Sequence, residues 1–472
     1  MLLHQLGLAH ARDYDEGVYW ESLRAMHAGH VLYRDIYSSQ PPLFLAAAHP
    51  MFEAFGGGLF AARFSCVAFS LAGLLGAYLT GRALAGPWGA AAAMLLAATS
   101  VAYVQMSQTL QAEASAVALS WCAVGMVLAA RSLSGAGRTM VAALAGAAIA
   151  AALLCKLLVI ATIAPVLLGV AMPVAAASRR PRALAFAVLG CSLGFGVALA
   201  LGVLPYIEDG SAAWRQVVLL HAGVANGAPA SFGANAALLA RNLVGPLPFA
   251  ALFGATIAVQ NGDRRVVVLL GAWCLLTLVE LALLAPLFPH HLVALVPPLV
   301  SLAALGVAPG AQYGRIGAGL VGICAVLGVV GCVTYFVRDA RLESAPETLA
   351  MRAAVLGVDR LTVAGSRIVT DDQFAAALAD RDTPPWLVDT SFARIHSGQL
   401  TRTEVLAGAG EPTVDGILLF SNRLAALMGL RASLAERYAL RIDFGGGREL
   451  WTRRGASRGP RSRVFRSSAS RR

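Results

Sequence analysis

Apolar runs recur along most of the chain, separated by short polar connections. A helix needs roughly 20 predominantly apolar residues to cross a bilayer. That requirement predicts ten spans, near 59–81, 87–105, 110–130, 139–154, 157–177, 183–205, 244–260, 266–288, 291–308 and 316–337. The stretch from Pro41-Pro42 to Phe55 is apolar but short and contains His49, Pro50 and Glu53. It predicts a helix lying at the membrane surface or re-entering it. After residue 338 the pattern changes. Residues 367–370, 387–391, 416–420 and 448–453 read as strands, with helices over 372–380 and 423–438, which is the alternation of a small α/β domain.

The expected fold class is therefore a membrane all-α polytopic helical bundle with a small C-terminal α/β domain. Residues 1–58 form a first outer loop with an acidic motif, 59–337 the bundle, 338–452 the α/β domain, and 453–472 a basic tail. That tail carries eight arginines amid Ser, Gly and Pro and is expected to be disordered.

Composition supports membrane residence. The chain is 58% hydrophobic and 13% charged, too little charge to solvate a soluble surface of 472 residues. Its net charge of +11 does not mark a nucleic-acid partner. Lys156 is the only lysine, and the arginines sit in connections and in the tail, with no basic face interleaved with aromatics. The seven cysteines lie in or beside apolar runs without metal-binding spacing.

Arginine placement sets orientation. Alternate connections contain Arg82; Arg131 and Arg138; Arg179, Arg180 and Arg182; Arg264 and Arg265; and Arg315. These are the cytoplasmic loops by the positive-inside rule. Residues 1–58 and the C-terminal domain then face outward. Residue 1 is left outside with no crossing before it, so one more span is expected upstream, or the copy is truncated and inactive.

The charged residues expected on the outer side are few and conspicuous. Asp13, Asp15 and Glu16 place three carboxylates within four residues. Such a cluster either holds a cation, Mg2+ or Mn2+, or supplies a general base whose pKa its neighbours raise. It also fits an acidic helix N-terminus in solvent. Tyr37 and Gln40, in the proline-locked segment that follows, are candidate substrate contacts. Glu113 opens the third span, either as a site acid or as a dipole-favoured helix start. Lys156 stands where two spans meet, either as a phosphate contact or snorkelling to the surface. Glu280 lies within the eighth span, where an unpaired carboxylate is costly. His290 and His291 form an outer turn and suit phosphate or metal binding as well as plain solvation. Arg63 enters the first span from the outer side, within reach of a lipid phosphate. Acids and cations converging on one face are what a phosphate-linked lipid substrate requires.

The run DYDEGVYWESLRAMHAGHVLYRDIYSSQPPLFLAAAHPMF, then AARFS, then QTLQAEASAVAL, resembles the GT-C superfamily of polytopic glycosyltransferases. The branch it is most similar to contains bacterial protein-mannosyltransferase and aminoarabinose-transferase-like enzymes, and the similarity covers most of residues 13–335. The resemblance implies transfer of a sugar from a polyprenyl-phosphate donor to a lipid, glycan or protein acceptor on the outer face of the plasma membrane. It implies that Asp15 is the general base, with Asp13 and Glu16 beside it and Glu113 as the acid of the second outer loop. Arg63, Lys156, His290 and His291 would contact the phosphate. A transporter would instead show two related halves and mid-bilayer polar groups. A non-catalytic membrane scaffold displaying the α/β domain is the third reading.

Overall fold

Ala85 and Gly86 leave helical geometry, Gly86 at a φ of 65°, and Pro87 restarts the helix. The run Leu59–Thr99 (α3) is therefore two arms joined by a turn, matching the first two predicted spans. Gly81 and Gly89 make this close reversal possible. A Cβ on Gly81 would lie 2.2 Å from the Gly89 carbonyl oxygen.

The computed structural model describes residues 5–172, 181–227, 232–308 and 313–454. Arg179, Arg180 and the tail from residue 455 lie outside the described residues. Before α3 come α1 (Tyr14–His27) and α2 (Leu43–Ala54), the latter coinciding with the expected short apolar helix. After it come α4 (Val101–Gln108), α5 (Ala112–Ala129), α6 (Gly135–Cys155), α7 (Ile163–Ala171) and α8 (Pro181–Val203). Then follow α9 (Phe232–Leu243), α10 (Pro246–Gln260), α11 (Arg264–Leu283), α12 (Val296–Ala304) and α13 (Gly314–Leu342).

Among the described residues, seven helical runs are long and apolar enough to cross a membrane, or eight if the bent pair α9–α10 is one span. The count differs from ten because the two arms of α3 form one run and because 157–171 is a shorter apolar helix. Each of the ten predicted segments nevertheless lies mostly on helix among the described residues, residues 173–177 of the fifth falling outside them. The chain is a multi-pass membrane protein.

The C-terminal region begins with α14 (Pro346–Leu361) and holds a four-stranded sheet of order β1-β2-β4-β3. The strands are β1 (Arg367–Thr370), β2 (Val414–Leu419), β3 (Tyr438–Gly445) and β4 (Arg448–Arg453). β1 and β2 run parallel, and the other pairs are antiparallel. Residues 387–391 are not the strand expected of them. Pro384 and Pro385 start a 3-10 turn there, and the Asp389 carboxylate accepts from Ser391 N–H at 2.8 Å, closing a local turn. The helix expected over 423–438 is broken into a turn at Leu424–Ala426 and a helix at Leu430–Arg437, and Tyr438 already opens β3.

One apolar core joins the two regions. It continues from Trp20 and Phe52 through Met351, Val358 and Phe374 to Leu450. Helix α1 is gripped between them. Its Trp20 ring meets Phe374 edge-on at 5.4 Å, and Gly17 lies so near α15 (Gln373–Leu378) that a Cβ would sit 2.5 Å from the Phe374 nitrogen.

Candidate active site

Asp13 is the N-cap of α1. Its backbone is extended, and its carboxylate accepts from Asp15 N–H at 3.1 Å, satisfying a donor that the helix start leaves free. The acidic motif is thus a helix N-terminus, as one reading of the sequence had it, but it is packed against the bundle instead of standing in water. Three other elements bring their polar groups to the same place. Glu113 is in the first turn of α5, Lys156 follows the last residue of α6, and His290 and His291 open the turn before α12.

The contacts are direct. His290 Nδ1 is 3.0 Å from Asp13 Oδ2, and its Nε2 is 3.5 Å from Glu113 Oε1. Glu113 is fully buried and accepts a hydrogen bond from the Lys156 ammonium. His291 Nε2 stands 3.6 Å from the same Glu113 oxygen. The two imidazoles meet edge-on with centroids 4.5 Å apart, and Phe288 stacks on His290 at 5.5 Å.

Asp15 makes no side-chain hydrogen bond among the described residues. Burial first, and the nearby Asp13 charge second, push its carboxyl up to about 7, against the opposing pull of Lys156 and His290. Burial also works to raise Asp13, but its hydrogen bond and charge interaction with His290 outweigh that and hold it below the ordinary carboxylate range. Two acids two residues apart are thus driven in opposite directions. Asp13 is the fixed anion, and Asp15 exchanges its proton near neutrality.

Glu16 and Arg63 do something else. Arg63 Nε and Nη2 donate to the two Glu16 oxygens, each at 2.8 Å, and both side chains are fully buried. Arg63 also donates to the carbonyls of Leu6, Leu8 and His10, while Glu16 accepts from the N–H groups of Arg12 and Leu110. Burial raises the Glu16 carboxyl, but the Arg63 charge and hydrogen bonds outweigh it, keeping the carboxyl ionised. The pair therefore corrects both expectations. Arg63 has no donor left for a phosphate, and Glu16 is a tie between the N-terminal segment, α1, α3 and the loop before α5.

Tyr37 and Gln40 also stand apart from the acidic cluster. Tyr37 donates its hydroxyl to Gln399 Oε1 at 2.8 Å, and the Arg394 guanidinium lies 3.7 Å from its ring centroid. Gln40 contributes its backbone carbonyl to Tyr33 and Ser38. Glu280 faces a lateral groove of about 630 Å³ between α7 and α11, lined by Ile160, Leu167, Leu276 and Leu283. There it accepts from Ala161 N–H at 3.3 Å.

The residues around α1 that sequence reasoning missed lie far away in the chain. The Tyr14 hydroxyl accepts from Thr390 N–H at 2.9 Å, and the Arg423 guanidinium covers the Tyr14 ring at 3.7 Å. His10 and Arg12 both bond Asp339 in α13, tying the start of α1 to the last membrane helix. Nothing local marks any of these positions.

Residues 39–205 match the sequence family described as dolichyl-phosphate-mannose-protein mannosyltransferase. The whole architecture matches the crystal structure of ArnT from Cupriavidus metallidurans bound to undecaprenyl phosphate, with a TM-score of 0.66 at 15% identity, covering 98% of this chain and 97% of that one. The chain has the fold of that ArnT structure. The apo form of the same ArnT superposes with a TM-score of 0.60 at 13% identity, over the same shares of both chains. No curated protein matches the chain in sequence. At such identity the likeness speaks for the fold, so the chemistry is argued from the residues.

Proposed function

We propose that this protein is a glycosyltransferase that moves a sugar from a polyprenyl-phosphate carrier to an acceptor at the outer face of the plasma membrane. The observation that carries this reading is the single cluster of Asp13, Asp15, Glu113, Lys156 and His290 at one end of a GT-C bundle. The ArnT structure that shares the fold is bound to undecaprenyl phosphate, which fits the carrier class. The opposite ends of α5 and α6 carry Arg131 and Arg138, consistent with a cytoplasmic side there.

Asp15 has the properties of a general base. Its carboxylate is uncommitted, and its pKa of about 7 suits proton transfer at neutral pH. It takes the proton from the acceptor as the acceptor atom bonds to the anomeric carbon. The bond from that carbon to the phosphate oxygen breaks, and its electron pair leaves with the phosphate. Lys156 is held by Glu113 and has further N–H bonds to give, so it supports the charge that develops on the phosphate. His290, braced by Asp13, adds a second donor.

A divalent cation is compatible with part of this site. Glu113 Oε2 and His290 Nε2 are buried without hydrogen-bond partners. With His291 they group closely enough to ligate one ion. His291 fits less well, because its Nδ1 accepts from Phe288 N–H at 3.3 Å, which leaves the proton on Nε2 facing Glu113. When bound, such an ion would supply positive charge to the leaving phosphate.

The test is transfer of a radiolabelled sugar from polyprenyl phosphate by the full-length protein in nanodiscs, with lipid, glycan and protein acceptors offered in turn. Asp15→Asn is expected to lower turnover by about 100-fold or more. Wild-type turnover in that variant would remove Asp15 as the base, and no transfer to any acceptor by the wild-type protein would count against the reading as a whole.

A further inference from the structure

A second group of potential ligands lies outside the acidic cluster. His27 ends α1, and His49 and Glu53 stand four residues apart on α2, so their side chains share one helix face. Glu53 Oε1 is 3.4 Å from His27 Nδ1 and 3.4 Å from His49 Nε2. The three ligand atoms all fall within 4.8 Å of one another.

An exposed histidine at a helix C-terminus beside a glutamate would ordinarily be a weak surface ion pair. Two observations go beyond that. His49 Nε2 is shielded from solvent and yet makes no hydrogen bond, although a carboxylate oxygen lies beside it. A buried nitrogen left in this way is costly unless something else occupies its lone pair. The spacing is also informative. Zinc bonds of about 2.0–2.1 Å at tetrahedral angles set neighbouring donor atoms about 3.3 Å apart, and the two measured edges are 3.4 Å.

We propose that His27, His49 and Glu53 form a zinc-type transition-metal site with a fourth position open to solvent. Two imidazoles and one carboxylate favour zinc over magnesium or calcium, which prefer all-oxygen sets. His27 is mostly exposed and Glu53 about half exposed, so the ion has a path in from solvent. The site joins the far end of α1 to α2, and α1 carries Asp13 and Asp15 at its other end. Metal binding there fixes the helix that presents both acids, without touching them. This inference does not depend on the transfer reaction.

The experiment uses the full-length protein in nanodiscs, freed of metal with chelator and then titrated with zinc chloride alone. Bound zinc per chain is measured by mass spectrometry, and the melting temperature is followed with and without zinc. His27→Ala, His49→Ala and Glu53→Gln are each expected to bind one equivalent less than wild type and to lose part of the zinc-induced rise in melting temperature. Glu113→Gln, in the other cluster, is expected to keep the equivalent in question. His27 is exposed, so His27→Ala should retain the wild-type metal-free melting temperature and serves as the deciding variant if His49→Ala is poorly folded. Undiminished zinc binding by His27→Ala would overturn the site, as would loss of the only bound zinc in Glu113→Gln with none lost in His27→Ala.

Discussion

His290 Nδ1 lies 3.0 Å from the Asp13 carboxylate, joining the loop before α12 to the N-cap of α1. The contact keeps Asp13 ionised, and an ionised Asp13 in turn raises the Asp15 carboxyl. The rate of sugar transfer should therefore rise with pH along a limb centred near 7, since the base must be deprotonated to act. Asp13→Asn preserves a good N-cap but removes the neighbouring negative charge. It should move that limb to lower pH. A kcat/KM profile of the two proteins between pH 5 and 9 measures the shift, and an unmoved limb would exclude Asp13 as the source of the perturbation.

Glu113 and Lys156 are expected to fail separately. Lys156→Met leaves a buried carboxylate without its cation, and loss of turnover by about 100-fold is expected. Glu113→Gln leaves the ammonium unanchored but still positive, so turnover should fall less. Single-turnover rates at saturating donor separate the two effects. Equal losses in both variants would mean that the pair acts only as structure.

The Arg63–Glu16 pair predicts a stability effect. Breaking a fully buried ion pair from one side costs roughly 3–5 kcal/mol. Arg63→Met alone should sharply lower the melting temperature, and the double variant with Glu16→Gln should recover part of the loss. In whatever fraction of Arg63→Met folds, the KM for the donor should stay near wild type. A large rise in KM at unchanged stability would return Arg63 to the phosphate.

Glu21 gives a pH dependence of stability. Burial first pushes its carboxyl up to about 8, against the pull of Arg24 and the hydrogen bonds from Thr383. A group whose pKa is raised on folding binds more protons in the folded state. Stability is thus greatest below the unfolded value of about 4.3 and declines as pH rises from there to about 8. Glu21→Gln keeps an acceptor for Thr383 N–H and never ionises. Its stability should match wild type near pH 4 and exceed it near pH 9 by on the order of 1 kcal/mol or more, read as a higher melting temperature at the upper pH.

Much of this arrangement was legible in the sequence because ionisable side chains stand out in apolar surroundings. Asp13, Asp15, Glu113, Lys156, His290 and His291 were found this way, and the structure brings all six together. The same conspicuousness misled at Arg63 and Glu16, since residues 47 positions apart give no hint that they spend their charges on each other. Tyr14, Thr390 and Arg423 were invisible for the opposite reason. They are ordinary residue types whose role comes only from contacts hundreds of residues apart. In the sheet, β3 was missed because its exposed positions include Arg441 and Asp443, which hid the strand behind a helical reading that continued to residue 438.

Helix α1 is held on one side by Thr390 and Arg423, which the ribosome delivers after every membrane helix has been made. A nascent chain whose spans are all inserted still lacks the groups that fix its acidic helix. The protein thus leaves the insertion machinery unfinished, and translation past residue 423 is the step that lets the two acids settle into place. A chain stopped short of that point would hold an inserted bundle whose acidic helix lacks both of these contacts.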